Sequence, residues 1–419
     1  MPAKPAGART MSTSTARRRI SPEAVVLAGC AISLMSFGPR AAAGLFQVPM
    51  TSEYGWGRDT FGLALALQNL CWGVGQPFAG AVADRFGAVR VLSAGGLLYA
   101  LGLVLMSYGA TPGLVDLGAG VLVGFGLSGC SGNLVIGAFG KLLPEDWRPM
   151  AFGASTAAGS FGQFLFLPTG SYLIEAIGWH ETLVAFAVLM LLILPLSLAL
   201  ATPPGGPKAG AVPAQSVRQA LSEAFRHRSY VLLVLGFFTC GFQLAFITVH
   251  LPAYLKDGGL STSVGGWTLA AIGLCNAVGS LASGWLTSRV SRRWLLAWIY
   301  LGRAVVIAVF VLLPLTPATA IGFGACMGFL WLSTVPPTSA LVMLMFGTRY
   351  MAMLFGFAFF SHQVGGFLGV YLGGVLYEAY GNYTLVWWLS VALGVASAVI
   401  NLPIREEPVV RAPALAPAE

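Results

Sequence analysis

Charge is what this sequence has least of. Of 419 residues, only 9% are Asp, Glu, Lys or Arg, against roughly 25% in an ordinary soluble domain. So few charges cannot cover a water-facing surface, which excludes a soluble enzyme. The high apolar content excludes a disordered chain. No Gly-x-x-x-x-Gly-Lys-Ser/Thr loop is present, so ATP does not power the protein directly. There is no His-Glu-x-x-His motif, no Cys-x-x-Cys pair and no Cys/His ligand spacing, so no metal or other cofactor is expected. No Ser/His/Asp arrangement stands out, and no catalytic residue is assigned. The six cysteines (Cys30, Cys71, Cys130, Cys240, Cys275, Cys326) all fall inside apolar runs. They read as small buried residues, not as a disulfide framework.

What is present is apolar: 57% hydrophobic residues, a mean hydropathy of +0.79 and 54 glycines, which allow close helix packing in a bilayer. The chain therefore reads as an all-α polytopic membrane protein with the lipid bilayer as its solvent. A span needs roughly 20 mostly apolar residues. Twelve runs qualify, at about 24–50, 61–83, 91–109, 112–140, 150–177, 180–201, 230–256, 264–288, 294–315, 317–345, 350–378 and 383–403. The first run follows Arg17, Arg18 and Arg19 and is too long for a cleaved signal peptide, so it reads as a retained helix. One connection is long, 202–229, with a Pro/Gly-rich start and a short amphipathic stretch. It divides the chain into an N-terminal tail (1–23), a six-span bundle (24–201), a linker (202–229), a second six-span bundle (230–403) and a C-terminal tail (404–419).

The net charge of +8 tempts a nucleic-acid reading, but the charges follow the membrane. Placing both termini in the cytoplasm puts 19 of the 23 basic residues inside, among them Arg85, Arg90, Lys141, Arg148, Arg289, Arg292, Arg293, Arg349 and Arg411. Arg58 and Lys256 fall outside, and Arg40 and Arg303 lie within spans. The positive-inside rule favours this topology, and no nucleic-acid partner is expected. The halves also repeat. Gly80 corresponds to Gly284, and Gly124-Phe125 to Gly328-Phe329, both at an offset of 204. Glu175-Ala176-Ile177-Gly178 corresponds to Glu378-Ala379-Tyr380-Gly381 at an offset of 203. A duplicated bundle with its site at the repeat interface is a transporter architecture.

The stretch Gly80-Ala81-Val82-Ala83-Asp84-Arg85-Phe86-Gly87-Ala88-Val89-Arg90 resembles the loop motif between the second and third helices of the major facilitator superfamily. A degenerate copy follows Gly284, with Ser288 in place of Asp84 and with Arg289, Arg292 and Arg293 keeping the basic character. Asp84 at a helix end can accept from a neighbouring helix start and pair with an Arg. Gly80 and Gly87 permit close approach and a tight turn. Together with Arg85, Arg90, Gly284, Arg289 and Arg293 they are expected to form a conformational latch. The resemblance implies twelve helices in two pseudo-symmetric bundles, alternating access, a cell membrane of the bacterial inner-membrane kind, and a monomer. Tyr54-Gly55-Trp56-Gly57-Arg58 and the loop motif look like the branch of monocarboxylate carriers and oxalate–formate exchangers. Phe37-Gly38-Pro39-Arg40 sits where monocarboxylate carriers place a Pro-Lys pair. This implies a small organic anion, with Arg40 replacing the lysine. There are departures: Ser280 stands where those carriers hold a cargo-binding Arg, Asn276 where some carry Asp, and His362-Gln363 where oxalate exchangers carry a Lys. A dianion is correspondingly disfavoured.

An ionisable residue inside a span is costly and is a functional candidate. Arg40 follows Pro39 near the middle of the first span, and its planar fork matches a carboxylate. Arg303 is the second buried cation, and its expected role is structural, capping carbonyls of a neighbouring helix. Asn69, Asn133, Gln243, Trp331, His362 and Gln363 join Arg40 as expected substrate contacts. Gln68, Gln163, Ser333 and Thr334 are further uncharged cavity candidates. His250 and His362 are the proton-coupling candidates, whereas Asp116 and Glu175 read as interfacial. The expected function is secondary transport of a small organic anion, a monocarboxylate by preference, coupled to protons or to exchange. An exporter of amphipathic drugs or metabolites is the alternative. A non-transporting receptor or membrane enzyme finds no supporting residues.

Overall fold

The computed structural model describes residues 21–144, 147–202, 217–347 and 351–409. The expectations for the N-terminal tail, most of the linker, Arg349 and Arg411 lie outside them, as do the side chains of Asp84 and Arg148. The regular structure among the described residues is all helical, with no strand. Ten helices are long and apolar enough to cross a membrane. In chain order these are the first (Pro22–Tyr54), third (Ala88–Tyr108), fourth (Pro112–Leu142), sixth (Trp179–Leu200), seventh (Arg228–Asp257), eighth (Thr262–Thr287), ninth (Arg292–Leu312), tenth (Pro317–Phe346), eleventh (Met353–Tyr380) and twelfth (Thr384–Asn401). Two further helices, the second (Arg58–Phe86) and fifth (Arg148–Ile177), are as long at 29 and 30 residues. Gln68, Asn69 and Gln76 lower the apolarity of the second helix, and Ser155, Ser160 and Gln163 that of the fifth. A short amphipathic helix, Val217–Arg226, precedes the seventh.

The helix ends follow local chemistry. Ser21 caps the first helix by accepting from Ala24 N at 3.3 Å, and Thr316 and Thr319 form a reciprocal capping box before the tenth. Gly87 closes the second helix at φ 91°, a conformation that an L side chain rarely adopts. Ala88 N then donates to Thr202 Oγ1 at 2.9 Å, tying this loop to the end of the sixth helix. Two spans that read as continuous are interrupted. The fourth contains a π-helical turn, Asp116–Leu122, and Gln68 Nε2 donates to Ala119 O there at 2.8 Å. The tenth breaks over 331–334, just before Pro336 and Pro337, which lack backbone donors.

The repeat seen in the sequence is also a repeat of packing. Gly120 lies against Ala64 and Gly324 against Thr268, while Gly124 lies against Gln68 and Cys71 and Gly328 against Ile272 and Cys275. Each of these positions is displaced by 204 residues from its counterpart. The second, fifth, eighth and eleventh helices carry the contact between halves. At the end bearing Arg58 they are pressed together: Gly62 and Gly374 face one another, and Gly266 meets Leu167 and Ser171. Toward the end bearing the loop motif, Gly80, Gly153, Gly284 and Gly356 on the same four helices have no neighbouring chain within 4 Å where a side chain would start. The molecule is thus closed at the Arg58 end and splayed at the other. The close approach expected at Gly80 is absent from this conformation, because the halves are apart there, whereas Gly87 lies against the Thr202 carbonyl.

Candidate functional site

Arg40 lies near the middle of the first helix, which runs unbroken through Pro39 before tightening at Ala43–Phe46. Its Nη2 donates to Asn69 Oδ1 on the second helix at 2.9 Å. Asn69 is fixed by donating Nδ2 to Leu65 O at 2.9 Å. From the other half, Gln363 Nε2 donates to the Asn69 backbone carbonyl at 3.1 Å, and Gln363 Oε1 lies 3.0 Å from His362 Nδ1. Four of the expected residues, Arg40, Asn69, Gln363 and His362, therefore form one hydrogen-bonded row across the interface. Aromatic rings surround it. The guanidinium lies 4.7 Å from the Trp72 ring, which meets Phe37 and Phe359 edge-on, and Phe359 stacks on His362. Arg40 pairs with no carboxylate among the described residues, and its Nε is buried without an acceptor.

Other expected contacts lie elsewhere. Gln243 is fully buried and donates to Ser390 O on the twelfth helix at 2.9 Å, so it faces within its own half. Asn133 is exposed and lines a cleft of about 200 Å³ at the motif end with Gly80, Gly137, Lys141 and Thr202. Trp331 is buried at the break in the tenth helix, where the freed backbone draws on neighbouring side chains. Arg303 is wholly buried and donates Nε and Nη2 to Leu330 O, at 3.0 and 2.7 Å, and Nη2 to Trp331 O. Asn276 Oδ1 accepts from Leu332 N at 3.1 Å, and Ser283 donates to Ser333 O. Arg303, Asn276 and Ser283 hold the break closed, so Arg303 has the structural role expected of it. Asn276 Nδ2 also donates to Ser160 on the fifth helix, across the interface, at 3.3 Å.

His250 is likewise fully buried. Its Nε2 lies 2.8 Å from Val370 O, and its Nδ1 3.2 Å from both Gln47 Nε2 and Tyr383 Oη. Tyr383 Oη accepts from Arg58 Nη1 at 3.0 Å. Arg58 makes a paired bond to both oxygens of Asp257 at 2.6 Å, lies over the Tyr377 ring at 4.0 Å, and donates its backbone N to Glu378 at 2.6 Å. Sequence reading placed Arg58 as an outside charge and as the end of the Tyr54–Arg58 stretch, gave it no partner, and missed Gln47, Asp257 and Tyr383. Nothing in the chain announces a pair 199 residues apart. The one signal available was that the second helix starts, and the seventh and eleventh end, at the same side.

The degenerate motif copy is held by a residue that sequence reading also passed over. Glu406 accepts from Ser291 Oγ at 2.5 Å and from Arg293 N at 3.0 Å, and pairs with Arg292 at 3.5 Å. Partial burial pushes its carboxyl up, but these donors and the Arg292 charge outweigh burial and hold it below the usual carboxylate range. Arg293 reaches back to Leu402 O and Ile404 O, each at 3.4 Å. Arg289 instead lies 3.8 Å from the Trp285 ring, and Arg85 over Phe86 at 5.2 Å. Arg90 is exposed. Arg293 is thus engaged with its own C-terminal segment and not with the opposite half.

Comparison with known proteins agrees with this architecture. A relative in Bacillus subtilis (strain 168), an uncharacterised MFS-type transporter, YcxA, is 26% identical over 379 residues, covering 89% of this chain and 92% of its own. Monocarboxylate transporter 13 of Bos taurus is 25% identical over 400 residues, covering 90% of this chain and 88% of its own. Among solved structures, a D-xylose–proton symporter superposes with a TM-score of 0.75 at 15% identity, covering 92% of this chain and 98% of its own. The nucleoside transporter NupG gives 0.76 at 14% identity, covering 91% and 99%. The family model for the Major Facilitator Superfamily matches residues 28–370. The chain belongs to the major facilitator superfamily: it is a membrane transporter for a small-molecule substrate, and not an enzyme.

Proposed function

We propose that this transporter moves a small organic anion with one carboxylate and an apolar body, by alternating access of two bundles, 24–201 and 230–403, about the row at Arg40. The observation that carries the reading is a guanidinium at the interface of the halves with no carboxylate partner among the described residues, backed by Trp72 and flanked by Phe37, Phe359 and His362. A carboxylate supplies the missing acceptor for such a fork. The rings favour an apolar substituent over a second charge, and among the described residues no second cation joins the row. Relatives named as monocarboxylate transporters support the same class. Arg40, Asn69, His362 and Gln363 are the proposed cargo contacts. Both termini lie in the cytoplasm, the membrane is a cell membrane, the protein works as a monomer, and the Asp84–Arg90 loop biases the two open states.

The test is ligand stabilisation of the purified protein, followed by uptake in vesicles. Monocarboxylates should raise the melting temperature, since a ligand at 100 times its dissociation constant adds ≈ 2.7 kcal/mol. Arg40→Ala should abolish both that shift and saturable uptake while the protein still purifies as a folded species. Stabilisation by organic cations or neutral solutes alone, or unchanged uptake in Arg40→Ala, would refute the assignment.

A further inference from the structure

We infer that His250 is a proton-responsive positioning residue which, through Tyr383, sets the strength of the Arg58–Asp257 lock at the closed end. The inference rests on the alternating-access part of the reading above and is independent of the cargo.

The lock joins the halves. Arg58 and Gln47 come from the first, and Asp257, Glu378, Tyr383 and His250 from the second. Backbone packs tightly around it: Gly44 against Thr248 and Val249, Gly374 against Arg58 and Asp59, and Gly373 against the His250 ring. The tautomer follows from the partners. Val370 O can only accept, so Nε2 carries the proton and donates to it. Nδ1 is then the acceptor, and the two groups that reach it, Gln47 Nε2 and Tyr383 Oη, must donate. Tyr383 is free to do so because its oxygen accepts the hydrogen bond from Arg58 Nη1, which leaves its own hydroxyl proton to give. The closed arrangement is therefore matched to neutral imidazole. A proton on Nδ1 removes that acceptor, so the Gln47 amide and the Tyr383 hydroxyl must both turn to meet it, which disturbs the Tyr383–Arg58 contact. It also places a cation in a site with no water access, one hydroxyl away from the Arg58 guanidinium. Among the described residues no carboxylate contacts the imidazole: Asp257 and Glu378 are engaged by Arg58, and the neighbours Phe246 and Gly373 are apolar.

The sign follows from linkage. The locked form binds this proton more weakly than the open form, so protonation favours the form open at the Arg58 end, and rising pH favours the lock. Acid on that side holds the transporter open to that side. The other histidine at this end, His180, bonds Glu53 at 3.1 Å within the first half and does not bridge the interface.

The experiment places spin labels at Ala110→Cys and Ala318→Cys, exposed positions at this end of opposite halves, in the full-length protein with its native cysteines replaced. Distances are measured without cargo from about pH 8 to about pH 5, the window of a histidine. The wild-type distance should lengthen as pH falls. In His250→Gln the pH response should vanish, and Tyr383→Phe should flatten it. Asp257→Asn should lengthen the distance at every pH, which validates the reporter. His180→Gln should behave as wild type. A full response in His250→Gln or in Tyr383→Phe, or a flat wild type beside an opened Asp257→Asn, would overturn the inference. Because no cargo is present, failure here leaves the Arg40 assignment standing, and failure at Arg40 leaves this one.

Discussion

At the scale of single residues, the two guanidiniums set within spans, Arg303 and Arg40, meet different surroundings. Arg303 donates through Nε and Nη2 to the carbonyls left without partners where the tenth helix breaks ahead of two prolines, and only its Nη1 lacks an acceptor. Arg40 is held by one asparagine and keeps capacity to spare. Inside a bilayer an unsatisfied carbonyl has no water to turn to, so replacing Arg303 exposes the cost directly. We expect Arg303→Met to destabilise the protein by about 1–3 kcal/mol for each carbonyl left unpaired, read as a lower melting temperature, while cargo binding at Arg40 persists. Arg40→Ala should do the reverse, removing binding with a smaller change in melting temperature. If both variants lost stability equally and neither affected binding selectively, the division between structural and functional cation would be wrong.

At the scale of helices, packing is governed by where a backbone must come close. Gly328 sits against the backbone of Ile272, whereas Gly322, less than two turns away on the same helix, has nothing within 4 Å. A side chain at Gly328 must push the eighth and tenth helices apart. We therefore expect Gly328→Val to cost more than about 1–3 kcal/mol, the usual range for overpacking, and Gly322→Val to be tolerated, as read from melting temperature and the yield of monodisperse protein. Equal behaviour of the two would mean that this contact does not set the helix spacing. The same contrast explains what could be read in the sequence. Hydrophobic runs located the spans, and the Gly124/Gly328 correspondence disclosed the repeat, because both are local or periodic signals. Arg40 stood out because a charge in an apolar run is costly. Gln243 and Asn133 misled because polarity in a span does not say which neighbour it faces; one bonds within its own half and the other looks into the cleft at the motif end. The lock at Arg58 and the Glu406 clamp were illegible, since each joins segments more than 100 residues apart with no shared motif.

At the scale of the whole molecule, the structure is closed at one end and open at the other, as one end state of the alternating access proposed above would be. The same four helices that touch near Arg58 carry Gly80, Gly153, Gly284 and Gly356 with open space beside them toward the motif end. These form two pairs at equivalent positions of the repeat, so the opening is symmetric about the interface and not a gap in one half. Water should then reach Gly153→Cys and Gly284→Cys, while Gly62→Cys and Gly266→Cys stay shielded by the opposite half. Labelling with a membrane-impermeant maleimide tests this in sealed vesicles of both orientations, with native cysteines replaced. Gly153→Cys and Gly284→Cys should react from the face that carries the termini only. Adding Asp257→Asn, which removes the partner of Arg58, should slow their labelling as the population moves to the opposite open form, since a lock can shift the equilibrium only by its differential stability between the two states. Labelling of these positions from the Arg58 face in the parent protein, or an Asp257→Asn variant that labels at the parent rate, would show that the Arg58 end does not hold this conformation.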